Sequence, residues 1–180
     1  MLSLYQIELP LVQSTKTASM MIDSRPTILC GYHVDNSIYW AEAPGFLTSD
    51  YMPETHDLLW QRLQEIASTL LQSLQNQSSL LFHNEPILSY VCDSLLCQVK
   101  AAENGQSLMQ YFGCEKRTIS GSAMIGIFDC LSAYETKLTN ILKQGYESVK
   151  LKIDPASFSM VQRVIELFSS QFEQISVDAN

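Results

Sequence analysis

The chain has 180 residues, of which 46% are hydrophobic and 17% charged, as in globular rather than disordered proteins. Its formal charge of −8 argues against a nucleic-acid or anionic-membrane partner, because both need clustered lysine and arginine. No run reaches the ~20 apolar residues of a membrane span, and residues 1–10 lack the features of a signal peptide, so we expect neither.

The N-terminal region predicts an antiparallel meander of three strands. Apolar and polar residues alternate over residues 2–12, and further strand-like runs follow over 27–34 and Ser37–Ala43. Asp35 and Asn36 separate the last two runs, and both residue types tolerate the positive φ that a tight hairpin turn requires. The second and third strands are therefore expected to form a hairpin.

Two polar loops and three helices are predicted around and after this meander. The loops cover residues 13–24 and 44–53, which are polar or rich in turn-forming residues. Pro86 suits the first turn of a helix, and Asn104-Gly105 suits its end. The three helices are predicted over residues 54–74, Pro86–Glu103 and 107–112.

From residue 117 onward, strands and helices alternate. Each helix returns the chain to the same edge of the sheet, so the strands are expected to pair in parallel. The fold class predicted is therefore an α+β domain followed by the first β/α units of a parallel sheet. The predicted strands are 118–125, 148–153 and Gln174–Asp178, and the predicted helices are 129–144 and 155–172.

Two lysines alternate with aliphatic residues in the second of these strands. Because strand side chains alternate between faces, Lys150 and Lys152 share one face, while Val149, Leu151 and Ile153 share the other. If the aliphatic face meets helices, the lysines point inward, where two ammonium groups are costly without an anionic partner. Taken alone, the pattern fits an exposed edge strand with solvated lysines at least as well.

An aspartate ends the last predicted strand. Asp178 shares a face with Ser176, and the carboxyl ends of parallel barrel strands are where catalytic and metal-binding residues gather. A carboxylate at that place suits Mg²⁺, which prefers oxygen ligands. The alternative is that Asp178 or Asn180 caps a following helix.

The cysteines indicate a reducing compartment. Their number is odd, and their spacing fits neither a zinc site nor a disulfide framework, so we expect free thiols and a cytoplasmic location. Most should be small buried hydrophobic residues. They are Cys30, Cys92, Cys97, Cys114 and Cys130.

Taken together, the Lys-x-Lys strand, the helix that follows it and the Asp178-Ala179-Asn180 ending resemble the muconate-lactonising branch of the enolase superfamily. Softer similarities lie upstream, in Arg25-Pro26-Thr27, Trp40-Ala41-Glu42 and Tyr51-Met52-Pro53-Glu54-Thr55. In the second of these, Ala41 stands where the family usually has glycine. The resemblance implies an N-terminal capping domain over residues 1–115 and the first strands of a TIM-type (β/α) barrel, incomplete, over residues 116–180.

The resemblance also implies a chemistry. Family members abstract a proton α to a carboxylate, with a lysine as general acid/base and a divalent metal, Mg²⁺ or Mn²⁺, that binds the substrate carboxylate. Lys152 would be the acid/base, Lys150 would add positive charge near the substrate anion, and Asp178 would be the first metal ligand. Contacts to the substrate are expected from the two loops, at Met20, Met21 and Phe46.

Within this branch the chain most resembles the o-succinylbenzoate synthases, which eliminate water from a succinyl-hydroxycyclohexadiene carboxylate in menaquinone biosynthesis. N-acylamino-acid racemase, dipeptide epimerase and muconate cycloisomerase share the same elements and stay open. One carboxylate does not make a tight metal site, so the chain alone is expected to be inactive. The open barrel edge is expected to favour a homo-oligomer. A non-catalytic assembly module and an α+β domain unrelated to the enolases also stay open.

Overall fold

The structure, a computed structural model, describes residues 1–16, 21–49, 53–78 and 82–179. In these ranges the strands are β1 (Leu2–Lys16), β2 (Met21–Val34), β3 (Ser37–Ala43), β4 (Ser122–Ile125), β5 (Ser148–Lys152) and β6 (Gln174–Asp178). The helices are α1 (His56–Gln75), α2 (Pro86–Glu103), α3 (Leu108–Tyr111), α4 (Leu131–Lys143) and α5 (Phe158–Phe168).

The chain divides into two compact units. Unit 1 comprises Met1–Leu9 and Arg25–Lys116, and unit 2 comprises Pro10–Ser24 and Arg117–Asn180. The end of β1 and the start of β2 therefore group with the second unit.

The sheet that begins in unit 1 has the order β1-β2-β3, and β2 pairs with β3 in antiparallel register from Ile28↔Ala43 to Val34↔Ser37. Asp35 in the connecting turn has a φ of 50°, as the hairpin prediction requires. At the start of β1, the Met1 carbonyl accepts a hydrogen bond from the His33 amide at 2.8 Å, which fixes the register of this strand against β2.

Helices α1 and α2 cover one face of this sheet and form the core of unit 1. Thr55 caps α1 through its side chain, which accepts from the Leu58 amide, and Pro86 begins α2. Neither helix is long and apolar enough to cross a bilayer, and this holds for every helix in the described ranges. Fully buried side chains of this core include Ile28, Cys30, Leu63, Leu70, Val91 and Leu95.

Unit 2 contains a three-stranded parallel sheet with the order β4-β5-β6. Helices α4 and α5 cover one face, and Val149 and Leu151 of the central strand are fully buried beneath them. An antiparallel sheet with helices, followed by a parallel sheet with helices, confirms the predicted order of an α+β domain and parallel β/α units.

Several predicted boundaries are wrong. The predicted loop over residues 13–24 is largely strand, because β1 continues to Lys16 and β2 begins at Met21. The polar residues there lack the apolar alternation by which a strand is recognised, yet the backbone can pair without it. Strand β4 begins at Ser122 rather than at 118, since its pairing with β5 begins there. Helix α5 begins at Phe158 because residues 154–157 form a hydrogen-bonded turn first.

Candidate active site

The two lysines lie on the central strand of the parallel sheet. In β5 the exposure alternates, with Val149 and Leu151 buried against the helices and Lys150 and Lys152 on the opposite face. Since β5 is flanked by β4 and β6, it is not the exposed edge strand that the sequence left open.

Asp178 lies beside both lysines. The register pairs Lys152 with Asp178 across β5 and β6, which places the three side chains on the same face. One carboxylate oxygen, Oδ2 of Asp178, is 2.9 Å from Nζ of Lys150 and 3.9 Å from Nζ of Lys152. The backbone holds this arrangement, because the Ile153 amide donates to the Asp178 carbonyl at 2.9 Å. The structure thus brings together the three residues that the sequence selected.

The three side chains differ in their access to solvent. Lys152 is 12% exposed, Asp178 26% and Lys150 43%. A nearly buried amine beside a second amine and a carboxylate can bind a small anion and can take or give a proton at Nζ. The most enclosed of the three is Lys152, the residue to which the resemblance gives the acid/base role.

The residues present do not by themselves fit a divalent cation. Mg²⁺ requires about six oxygen ligands in near-octahedral geometry. Within the described ranges, no group of three or more His, Cys, Asp or Glu side chains could hold a metal ion. Asp178 supplies a carboxylate on the face of the sheet that carries Lys150 and Lys152, and its Oδ2 already contacts an ammonium group. A metal bound here would need further ligands.

The predicted substrate-contacting residues lie in different places. Met21 is the first residue of β2, 57% exposed, and lines a cavity of about 350 Å³ in unit 2. Phe46 belongs to unit 1, is 40% exposed, and its carbonyl accepts a hydrogen bond from the His56 amide at 2.8 Å. Met20, and Asn180 of the Asp-Ala-Asn ending, lie outside the described residues.

The structure also reveals a contact that the sequence did not indicate. Nζ of Lys16, at the end of β1, lies 2.7 Å from Oδ1 of Asp129, which follows β4. The pKa of Lys16 is raised by this hydrogen bond and by the charge of Asp129. The two residues are 113 positions apart, and no local pattern signals a pair at that distance.

Four of the five cysteines are either buried or exposed, and Cys97 is intermediate. Cys30 and Cys92 are buried, and burial raises the pKa of their thiols to about 12 and about 11 respectively. Cys114 and Cys130 are exposed, contrary to the expectation of buried thiols. The pKa of Cys130, which precedes α4, is lowered first by its hydrogen bond with the Ser132 hydroxyl and then by backbone hydrogen bonding.

These environments predict an order of alkylation. With iodoacetamide at neutral pH, Cys130 should react first, because a lowered pKa increases its thiolate fraction. Cys30 and Cys92 should react only after unfolding. Peptide mass spectrometry over a time course measures the order, with exposed Cys114 as the reference. Labelling of Cys30 at the rate of Cys114 in the native protein would contradict these environments.

The similarity of this chain to known proteins is a similarity of fold. No family model matches the chain, and no curated protein sequence matches it. Among solved structures, an enolase-superfamily member from Listeria innocua has a TM-score of 0.80 at 24% identity, over 99% of this chain and 50% of that one. The muconate lactonizing enzyme from Pseudomonas fluorescens has a TM-score of 0.84 at 15% identity, over 99% and 52%.

The dipeptide epimerase from Enterococcus faecalis, solved with Mg and the dipeptide L-Leu-L-Tyr, has a TM-score of 0.83 at 13% identity, over 99% and 52%. The chain thus spans about half the length of each of these structures. Its architecture, an antiparallel sheet with helices followed by the first parallel strands of a barrel, is the fold of the N-terminal half of enolase-superfamily proteins.

Proposed function

We propose that the chain forms the N-terminal half of an enolase-superfamily enzyme that removes a proton α to a carboxylate. One observation carries this proposal: Lys150, Lys152 and Asp178 converge on one face of the parallel sheet, with Lys152 and Asp178 at the carboxyl ends of their strands. Side chains at this end of a barrel sheet are those that face a substrate.

The three residues receive different roles. Lys152, nearly buried, takes the proton from the substrate carbon at Nζ. Lys150, more exposed and at the same face, contributes a positive charge that attracts the substrate carboxylate. Asp178 holds the two amines in place, and it is the ligand that this chain would contribute to Mg²⁺ or Mn²⁺. The other ligands would come from outside the described residues.

Among the reactions of this class, we favour the elimination of water carried out by o-succinylbenzoate synthase. Lys152 would remove the ring proton next to the carboxylate and return it to the departing hydroxyl group, which leaves as water, so that the ring becomes aromatic and Lys152 is again neutral. The similarity of residues 43–60 to that family supports this choice, and free thiols fit a cytoplasmic enzyme. Epimerisation of a dipeptide is the second candidate, favoured by the fold shared with a dipeptide epimerase.

The test compares the full-length protein, meaning the longest polypeptide that its reading frame encodes, with the 180-residue chain. Both are incubated with Mg²⁺ and either the cyclohexadiene substrate or the dipeptide L-Leu-L-Tyr in D₂O. Loss of water is followed by ultraviolet absorbance, and exchange of the α-proton by NMR. We expect turnover by the full-length protein and none by the chain alone.

The outcomes separate the candidate functions. Turnover of the dipeptide alone would replace the dehydratase by an epimerase. Turnover by the purified 180-residue chain would contradict the requirement for further ligands and residues. Absence of turnover and of exchange with every substrate would reject the catalytic role and favour an assembly module.

The open edge of the sheet also supports self-association. Strand β6 is an edge strand, and beside it lies an apolar groove of about 400 Å³ that includes Phe158 and Val177, 58% and 51% exposed. We therefore expect the 180-residue chain to form a homo-oligomer through this edge, and Phe158→Glu to weaken it. Light scattering across a concentration series measures the mass, and a monomer at high concentration would contradict this expectation.

A further inference from the structure

The end of β1 is attached to the loop that follows β4 by two contacts within unit 2. The side chain of Lys16 forms its ion pair with Asp129 at 2.7 Å, and the carbonyl of Lys16 accepts a hydrogen bond from the Ile127 amide at 3.0 Å. One residue thus contacts the loop through both its side chain and its backbone, so the two contacts should form and break together.

The backbones approach so closely at this point that only glycine fits. A Cβ on Gly126 would lie 2.8 Å from the Lys16 carbonyl oxygen and 3.0 Å from Cγ2 of Thr15. A backbone carbonyl cannot move aside as a flexible side chain can. The attachment therefore requires a residue without a side chain at position 126.

The attached segment forms one wall of the cavity of about 350 Å³ in unit 2. Ser14, Thr15 and Lys16 line it together with Met124 and Phe128. Met124 pairs in register with Lys150, which places it on the same face of the sheet as the candidate acid/base. The cavity is therefore lined by the β4 neighbour of Lys150, and residues 14–16 line it only while the end of β1 is attached.

We propose that Lys16 and Asp129 are positioning residues that form an ionic latch, which holds the end of β1 against the carboxyl end of β4 and so completes the wall of the cavity that Met124, the register partner of Lys150, also lines. The latch itself is a property of unit 2, and its influence on a substrate rests on the proposed function. Both charged groups are solvent-accessible, with side chains 40% and 88% exposed, so the latch responds to salt.

The first test measures hydrogen exchange at the Ile127 amide in the 180-residue chain. Lys16→Met keeps the apolar stem and removes the charge, and we expect exchange at Ile127 to become about two- to fivefold faster, the range for loss of an exposed ion pair. Raising NaCl to 1 M should accelerate exchange in the unmodified chain but not in Lys16→Met. The double variant Lys16→Asp with Asp129→Lys should restore protection.

The control is Arg163→Met, which removes an ion pair with Glu166 on α5 at 2.8 Å and should leave Ile127 unchanged. Unchanged exchange at Ile127 in Lys16→Met would overturn the latch. So would an equal acceleration at Ile127 and at Leu151 of β5, because that indicates general destabilisation of the unit.

The second test is steric. Gly126→Ala should accelerate exchange at Ile127 by about tenfold or more, because the added methyl group displaces the Lys16 carbonyl. Gly121→Ala is the matched control, since its Cβ would meet only Tyr146 at 3.6 Å, an ordinary contact. Equal behaviour of the two alanine variants would reject the close approach as the basis of the latch.

If substrate occupies this cavity in the full-length protein, Lys16→Met should raise KM by about three- to tenfold while kcat changes less, because the wall would contact substrate without taking part in proton transfer. The exchange experiments need no activity, so they distinguish the latch from the proposed reaction. If exchange responds as expected and KM does not, the latch exists but the link to the site is wrong.

Discussion

Replacing Lys152 with methionine is expected to reduce turnover of the full-length protein by a factor of about 10²–10⁴, the usual contribution of a general acid/base. Methionine has a similar length and an apolar stem, so it should occupy the position of a side chain that is only 12% exposed. It cannot accept a proton. Exchange of the substrate α-proton with D₂O, followed by NMR, measures the step in which Lys152 is proposed to act.

Two further variants separate proton transfer from charge. Lys152→Arg keeps a positive charge but cannot act as a base at neutral pH, so it should be nearly as inactive as Lys152→Met. Lys143→Met removes an exposed lysine at the end of α4 and should leave turnover unchanged. If Lys152→Arg retains more than about a tenth of the activity, Lys152 binds an anion and another group moves the proton.

Replacing Leu151 with alanine is expected to destabilise unit 2 by about 2–5 kcal/mol, the range for a fully buried leucine that leaves a cavity. Leu151 lies between the two lysines in sequence but on the helix-facing side of β5, within the core of unit 2. Both tryptophans, Trp40 and Trp60, belong to unit 1, so their fluorescence does not report this change directly.

Amide exchange at Leu138, in the middle of α4, measures the loss. The matched control is Val177→Ala, because Val177 is the register partner of Leu151 on β6 and is 51% exposed. This variant should cost less than about 1 kcal/mol. Equal losses at the two positions would mean that the helices do not cover β5 more closely than β6.

The sequence predicted those parts of the fold that follow from a local period. The predicted bounds match the structure for strand β6, strand β3 and helix α2. The signals that set these bounds lie within each segment: the alternation of apolar and polar residues, the turn residues, and the residues that begin and end a helix. The shared face of Lys150 and Lys152 follows in the same way from a period of two. Their proximity to Asp178 required the parallel register, which the order of elements implied.

The features that the sequence could not predict depend on contacts between residues that are far apart in the chain. The length of β1 and β2 comes from pairing between polar segments, for which composition gives no signal. The ion pair of Lys16 with Asp129 depends on where the far end of β1 lies, and that is a property of unit 2 as a whole. Gly126 is likewise an ordinary loop glycine until the carbonyl that faces it is known.

Alternate residues of strand β5 should tolerate different kinds of substitution. Substitutions at Val149 and Leu151 should be tolerated according to side-chain volume, whereas those at Lys150 and Lys152 should be tolerated according to charge and reactivity. A deletion of one residue just before the strand would exchange the faces and turn both ammonium groups toward α4 and α5. The chemistry of this strand can therefore diverge between descendants by single substitutions, but its register cannot drift without loss of the fold.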